Sequence, residues 1–209
     1  FRVAYANYIE GVFARAGVPG GRSRAAAILA FETAVARAHW TPAMERDAVR
    51  NHHPMSVHAL HRHAPGFDWP AFLGAAGFGD ARRVDLRNDS AIRAMAALFA
   101  RTPVETLRAY TAFHYLDNQA PLLSDDWVDA HFDLYSRRLA GINEQRPLDK
   151  RALDFLNHTL GEPLGKLYAE RYFSQQARTE IDRLVKFLKL AFRERLAGVD
   201  WMDPRTRAR

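Results

Sequence analysis

The stretch SQQARTEIDRLVKFLKLAFRERLA, residues 174–197, sets the structural class. Its apolar side chains Ile181, Leu184, Val185, Leu188, Ala191, Phe192 and Leu196 recur at mostly three- and four-residue steps, which lines them along one side of a 3.6-residue helix. Ser174 stands where an N-cap hydroxyl is wanted. At 1.5 Å per residue such a helix is roughly 33 Å long, about the diameter of a domain.

The rest of the chain reads the same way. Phe1, Val3, Ala4, Tyr8, Ile9, Val12 and Phe13 predict a first helix, broken at Gly17-Val18-Pro19-Gly20-Gly21. Ser23 caps a predicted second helix over 23–38. Thr41-Pro42 opens a short one ending near Arg50, and His52-His53-Pro54 is read as a stop. Ser56 and Asp68 cap two short helices, the first running to Arg62 and the second ended by Gly77. Val84-Asp85-Leu86 is the only candidate strand. Asp89 or Ser90 starts the next helix. Thr102-Pro103-Val104-Glu105 has the pattern of a capping box with proline at the first helical position, so a helix is predicted from there to about Leu116. Ser124 caps a predicted helix over 125–139, and the loop 141–147 follows. Two consecutive helices, 148–160 and 163–172, are parted at Gly161-Glu162-Pro163. About ten helices with short connections, no significant sheet, no repeat and no low-complexity linker predict one all-α domain over residues 1–209.

Composition narrows the function. With 209 residues, 48% hydrophobic, the chain has enough apolar material for a core and is not of the disordered class. Its apolar runs are too short to span a bilayer, so no transmembrane segment is expected. The absence of cysteine excludes disulfides, thiolate zinc sites and a cysteine nucleophile. A net charge of +6 raises the question of nucleic acid. The arginines, however, are scattered and interleaved with acids, as on a solvated surface, and no nucleic-acid partner is expected.

Three groups of polar residues are candidates for chemistry. The first is His52, His53, His58, His61 and His63; His58 and His61 lie three apart on a predicted helix and would share a face. No carboxylate is interleaved with them, and structural or surface histidines are the favoured reading. The second is Asp125, Asp126, Asp129 and Asp133, with His131 among them. Acids in a first turn suit the helix dipole, and Arg137 and Arg138 are available as partners. The third is Glu32, a carboxylate inside an apolar helix that needs a partner, with Arg37 or an arginine from another helix as the expected one. Trp40, Trp69, Trp127 and Trp201 are read as core anchors whose indole nitrogens reach nearby backbone. There is no HExxH, no phosphate-cradling glycine loop and no GxSxG. The residues alone describe a scaffold without a reaction centre.

The last third carries a recognisable pattern. Leu160-Gly161-Glu162-Pro163-Leu164-Gly165-Lys166-Leu167-Tyr168, followed by Tyr172-Phe173, resembles the "LG-x-LY" block of neprilysin-like zinc metallopeptidases, the neprilysin and endothelin-converting-enzyme type. Phe192 through Asp200-Trp201-Met202-Asp203 and Thr206 resembles their "LDWMD-x-x-T" block. Upstream, Phe31-Glu32-Thr33 with Ala36 and Trp40, the Phe67-Asp68-Trp69 turn with Phe72-Leu73, and the loop from Gly141 to Gln145-Arg146-Pro147 resemble further family blocks in the same order.

The resemblance implies a two-lobed zinc peptidase, secreted or membrane-anchored, whose lobes enclose a central cavity. In that family HExxH and ExxxD hold the zinc and an Asn-Ala-aromatic segment holds the substrate. All three lie beyond the Trp201-Met202-Asp203 block, so no catalytic, cofactor-binding or metal residue carries over to this chain. What remains resembles the helical lid-type lobe that limits substrates to small peptides. Eukaryotic relatives are disulfide-rich, so a cysteine-free chain points to a bacterial member with an extracytoplasmic, periplasmic or secreted, location. The expectation is therefore an N-terminal fragment of a larger peptidase, inactive alone, with zinc and catalysis in a missing lobe. The opening at Phe1 inside a helical pattern and the helix start Asp203-Pro204 near the other end agree with a piece of a longer protein. Two rival readings are a free-standing helical binding module for protein or nucleic acid, without catalysis, and a metalloenzyme built on His58 and His61.

Overall fold

A computed structural model describes residues 1–208. By its internal contacts the chain falls into two compact units, residues 1–145 and 146–209.

The first unit is built on α1 (Arg2–Arg15), α2 (Gly21–Ala38) and α7 (Val104–Gln119), which pack against one another. Their apolar stripes meet in a core of Tyr8, Ile9, Val12, Phe13, Ala25, Ile28, Ala109 and Phe113, joined by Leu134. Phe13, Phe113, Ile9, Ile28 and Val12 are its largest fully enclosed side chains. Tyr8 meets both Phe113 and Tyr135 edge-on, the arrangement favoured by ring quadrupoles.

Between α2 and α7 lies a run of short elements: α3 (Pro42–Glu45), β1 (Pro54–Ser56), α4 (Val57–His63), α5 (Trp69–Ala75), β2 (Arg83–Asp85) and α6 (Asp89–Arg101). Thr41, Ser56 and Asp68 each accept the backbone N–H of the third residue of α3, α4 and α5, as their positions predict. Strand β2 falls one residue earlier than the predicted Val84-Asp85-Leu86, and its antiparallel partner Pro54–Ser56 begins inside the segment read as a stop. Pro54 sits at the outer position of a three-residue strand, where the missing N–H is tolerated. Leu60, Ala64, Leu86 and Ala96 form a second small core, with Phe67 and Trp69 against it. Gly66, at φ +101°, is required here: a Cβ would come within 2.9 Å of the Ala96 carbonyl oxygen and of the Ala100 Cβ.

Several expectations about helix ends change: α2 starts at Gly21 behind Gly20, with Ser23 donating to the Gly20 carbonyl in place of capping, and α3 ends at Glu45, short of Arg50. Thr102 does not cap α7; its hydroxyl donates back to the Leu98 carbonyl of α6 at 2.7 Å, and Pro103 takes the N-cap place with no side-chain bond. The helix predicted over 125–139 is α-helical only as α8 (Asp125–His131) and then widens into a π-helix over Phe132–Leu139.

The second unit contains α9 (Leu148–Tyr172), α10 (Gln175–Ala197) and α11 (Pro204–Ala208). Leu160, at φ −121° and ψ 25°, interrupts α9 where two helices are predicted to part, one turn before Pro163. Ser174 caps α10 by accepting the Ala177 N–H at 3.1 Å. Among the described residues, neither α9 nor α10 has a fully buried side chain. The architecture is all-α with a single small two-stranded ribbon among the described residues, as the sequence predicts.

Candidate functional site

Two rungs of polar groups cross the three-helix core. Tyr5 and Tyr8 stand three apart on α1, and His114 and Asp117 three apart on α7, so each pair presents two groups on one face. In the first rung the Glu32 carboxylate of α2 accepts from Tyr5 Oη at 3.0 Å and from His114 Nε2 at 2.9 Å. In the second, Asp117 accepts from Tyr8 Oη at 2.6 Å and, through its other oxygen, from Tyr135 Oη at 2.8 Å. Asp117 is 9% exposed. Burial, with the neighbouring carboxylate second, pushes the Tyr8 and Tyr135 hydroxyls well above their ordinary range and keeps them as donors. The same holds for Tyr5 beside Glu32.

Glu32 therefore has a partner, as its place in an apolar helix demands, but not the expected arginine. Arg37 is five positions on, about 140° around the helix from Glu32. The tyrosine and histidine come from α1 and α7 instead. Glu32 and Arg37 both line an open groove of about 370 Å³ with Arg2 and Thr33.

Asp117 and Tyr135 were not legible as a pair in the sequence. A signal exists in hindsight: Ala109, Phe113 and Asp117 follow each other at four-residue steps, and the first two are buried, so the acid continues a core stripe. The π-helix completes the site. Its extra residue per turn changes which side chains face inward, and Tyr135 is among those it aims at the core. His131, just before it, packs against Tyr135 with ring centroids 4.6 Å apart and the rings tilted by 40°, and burial depresses its pKa against a smaller opposing pull from Asp117.

The histidine group separates. His58 and His61 lie together on α4 and are exposed. His52, His53 and His63 instead face aspartates distant in the sequence: β-pairing delivers Asp85 to His52 and His53, and Asp89 at the start of α6 meets His63. His52 Nδ1 donates to Asp85 at 2.9 Å, and the His53 N–H donates to the other oxygen of Asp85 at 2.8 Å. The His53 ring bonds the Leu86 carbonyl at 3.2 Å, and His63 bonds Asp89 at the start of α6. The His52 bond holds the Asp85 carboxyl below its usual range. Nearby Asn51, 4% exposed, donates to the Met44, Glu45 and Asp47 carbonyls and accepts the Asn88 N–H. That bond holds Asn88 at φ 52°, a positive φ that asparagine tolerates better than most residues.

Of the acidic run over 125–133, Asp126 on α8 and Asp133 in the π-helix each have side-chain partners. Asp126 accepts from Ser124 Oγ at 2.6 Å and pairs with Arg15 at 3.5 Å. Asp133 is gripped by Arg138 at 2.7 Å and Arg137 at 2.9 Å, which hold its carboxyl below the usual range, as the placement of those arginines predicts. Of the tryptophans, Trp69 reaches the Ala64 carbonyl at 2.8 Å as expected, Trp40 is buried but donates to the Ser90 hydroxyl, and Trp127 packs at the edge of the main core. Trp201 is 78% exposed and does not anchor a core. Among the described residues no three His, Asp or Glu side chains converge where a metal ion would fit, and no helix is long and apolar enough to cross a membrane.

Known proteins place this arrangement in context. The N-terminal family model described as Peptidase family M13 matches residues 1–209. The zinc metalloprotease Zmp1 of Mycobacterium tuberculosis, in its open state, superposes on 99% of the chain with a TM-score of 0.80 and 31% identity, the chain covering 33% of it. Human endothelin-converting enzyme-like 1 is 24% identical over 98% of this chain and 27% of its own length. PepO from Lactobacillus rhamnosis HN001, at 18% identity and a TM-score of 0.64, shares the fold over 97% of the chain and 32% of that structure. The chain thus spans about a third or less of the relatives it matches.

Proposed function

The chain belongs to peptidase family M13, and on that footing we propose that residues 1–209 are the helical, substrate-restricting part of a zinc-dependent endopeptidase. The whole protein hydrolyses peptide bonds in small peptides. Zinc, the water-activating group and the substrate-backbone contacts belong to polypeptide outside residues 1–209. Both compact units belong to this one N-terminal region, and the protein works outside the cytoplasm, in the periplasm or secreted.

The observation that supports this most is the likeness over the full chain to a structure whose name is zinc metalloprotease, at 31% identity and a TM-score of 0.80. The polar chemistry of the chain agrees with it. Glu32, Asp117 and Asp133 are each occupied by two donors. Asp85 is likewise held by the His52 ring and the His53 N–H. Carboxylates bonded in this way position helices and the two-stranded ribbon. The histidines do not converge with carboxylates into a metal-binding set among the described residues. The residues present do not fit zinc, and no step of peptide hydrolysis is assigned to them.

A steric role is tested by substrate size. The full-length protein is expected to cleave peptides of about ten residues at least 10-fold faster, by kcat/KM, than a long unfolded polypeptide carrying the same cleavage sequence, since interactions that orient a substrate act only on one that enters. Chelation of zinc should abolish both activities. Equal kcat/KM for the short and the long substrate would remove the restricting role and leave the family assignment intact.

A further inference from the structure

We draw no further inference here: the strongest candidate, the exposed apolar surface of α9 and α10 that includes Leu153, Tyr168, Leu184, Leu188 and Phe192, is an unpartnered helix face, and nothing in the structure shows what covers it.

Discussion

Two carboxylates on facing helices, Glu32 and Asp117, do different amounts of the work of joining α1, α2 and α7. Asp117 is the more enclosed, and each of its oxygens has its own tyrosine donor. Asp117→Ala strands the buried Tyr8 hydroxyl and the half-buried Tyr135 hydroxyl and leaves a void. With hydrogen bonds to a charged group worth about 1.5–3 kcal/mol and unmet buried groups costing as much again, a loss of about 3 kcal/mol is expected in urea unfolding of the chain. Tyr135→Phe removes one donor and should cost about 1 kcal/mol. A loss below about 0.5 kcal/mol for Asp117→Ala would mean the network does not hold the fold. His131 supplies a pH signature. Burial lowers its pKa in the folded state below the ordinary 6.5, so the unfolded chain binds the proton more readily. Stability from this group is complete above about pH 6.5 and declines as pH falls from there through the folded value. His131→Gln should flatten that part of the stability–pH curve. An unchanged slope below pH 6.5 in the variant would rule this out.

At the scale of elements, side-chain capping separates two serines that look alike in sequence. Ser174 accepts the Ala177 N–H and caps α10, whereas Ser124 spends its hydroxyl on Asp126 and makes no backbone cap. Ser174→Ala should cost about 1 kcal/mol and speed hydrogen exchange in the first turn of α10, while Ser124→Ala should stay within about 0.5 kcal/mol. Equal effects would contradict the assigned bonds. Most elements were legible because their signals are local: apolar steps of three and four, cap residues at Ser56, Asp68 and Ser174, and the break before Pro163. What was not legible depends on contacts between distant segments. The partner of β2 is set by pairing Met55 with Val84, and that pairing alone brings Asp85 to His52 and His53. Thr102 had the pattern of a cap, but the preceding helix offers its hydroxyl the Leu98 carbonyl, a competition that propensity does not register. The π-helix was not legible either, and the bond from its Tyr135 to Asp117 joins separate elements across the core.

At the scale of the whole molecule, the proposed role of this mainly helical chain is one of shape. Several of its acids and histidines brace helices and the two-stranded ribbon, and the family to which it belongs is one of peptidases. The chemistry and the scaffold are therefore expected to be separable, with the polar networks of residues 1–209 serving shape. The most direct measurement is the zinc content and peptide turnover of purified residues 1–209 beside the full-length protein. The account predicts about one zinc per molecule and peptide hydrolysis for the full-length protein, consistent with a single catalytic zinc. It predicts neither for residues 1–209. One tightly held zinc in residues 1–209, accompanied by peptide cleavage, would contradict it.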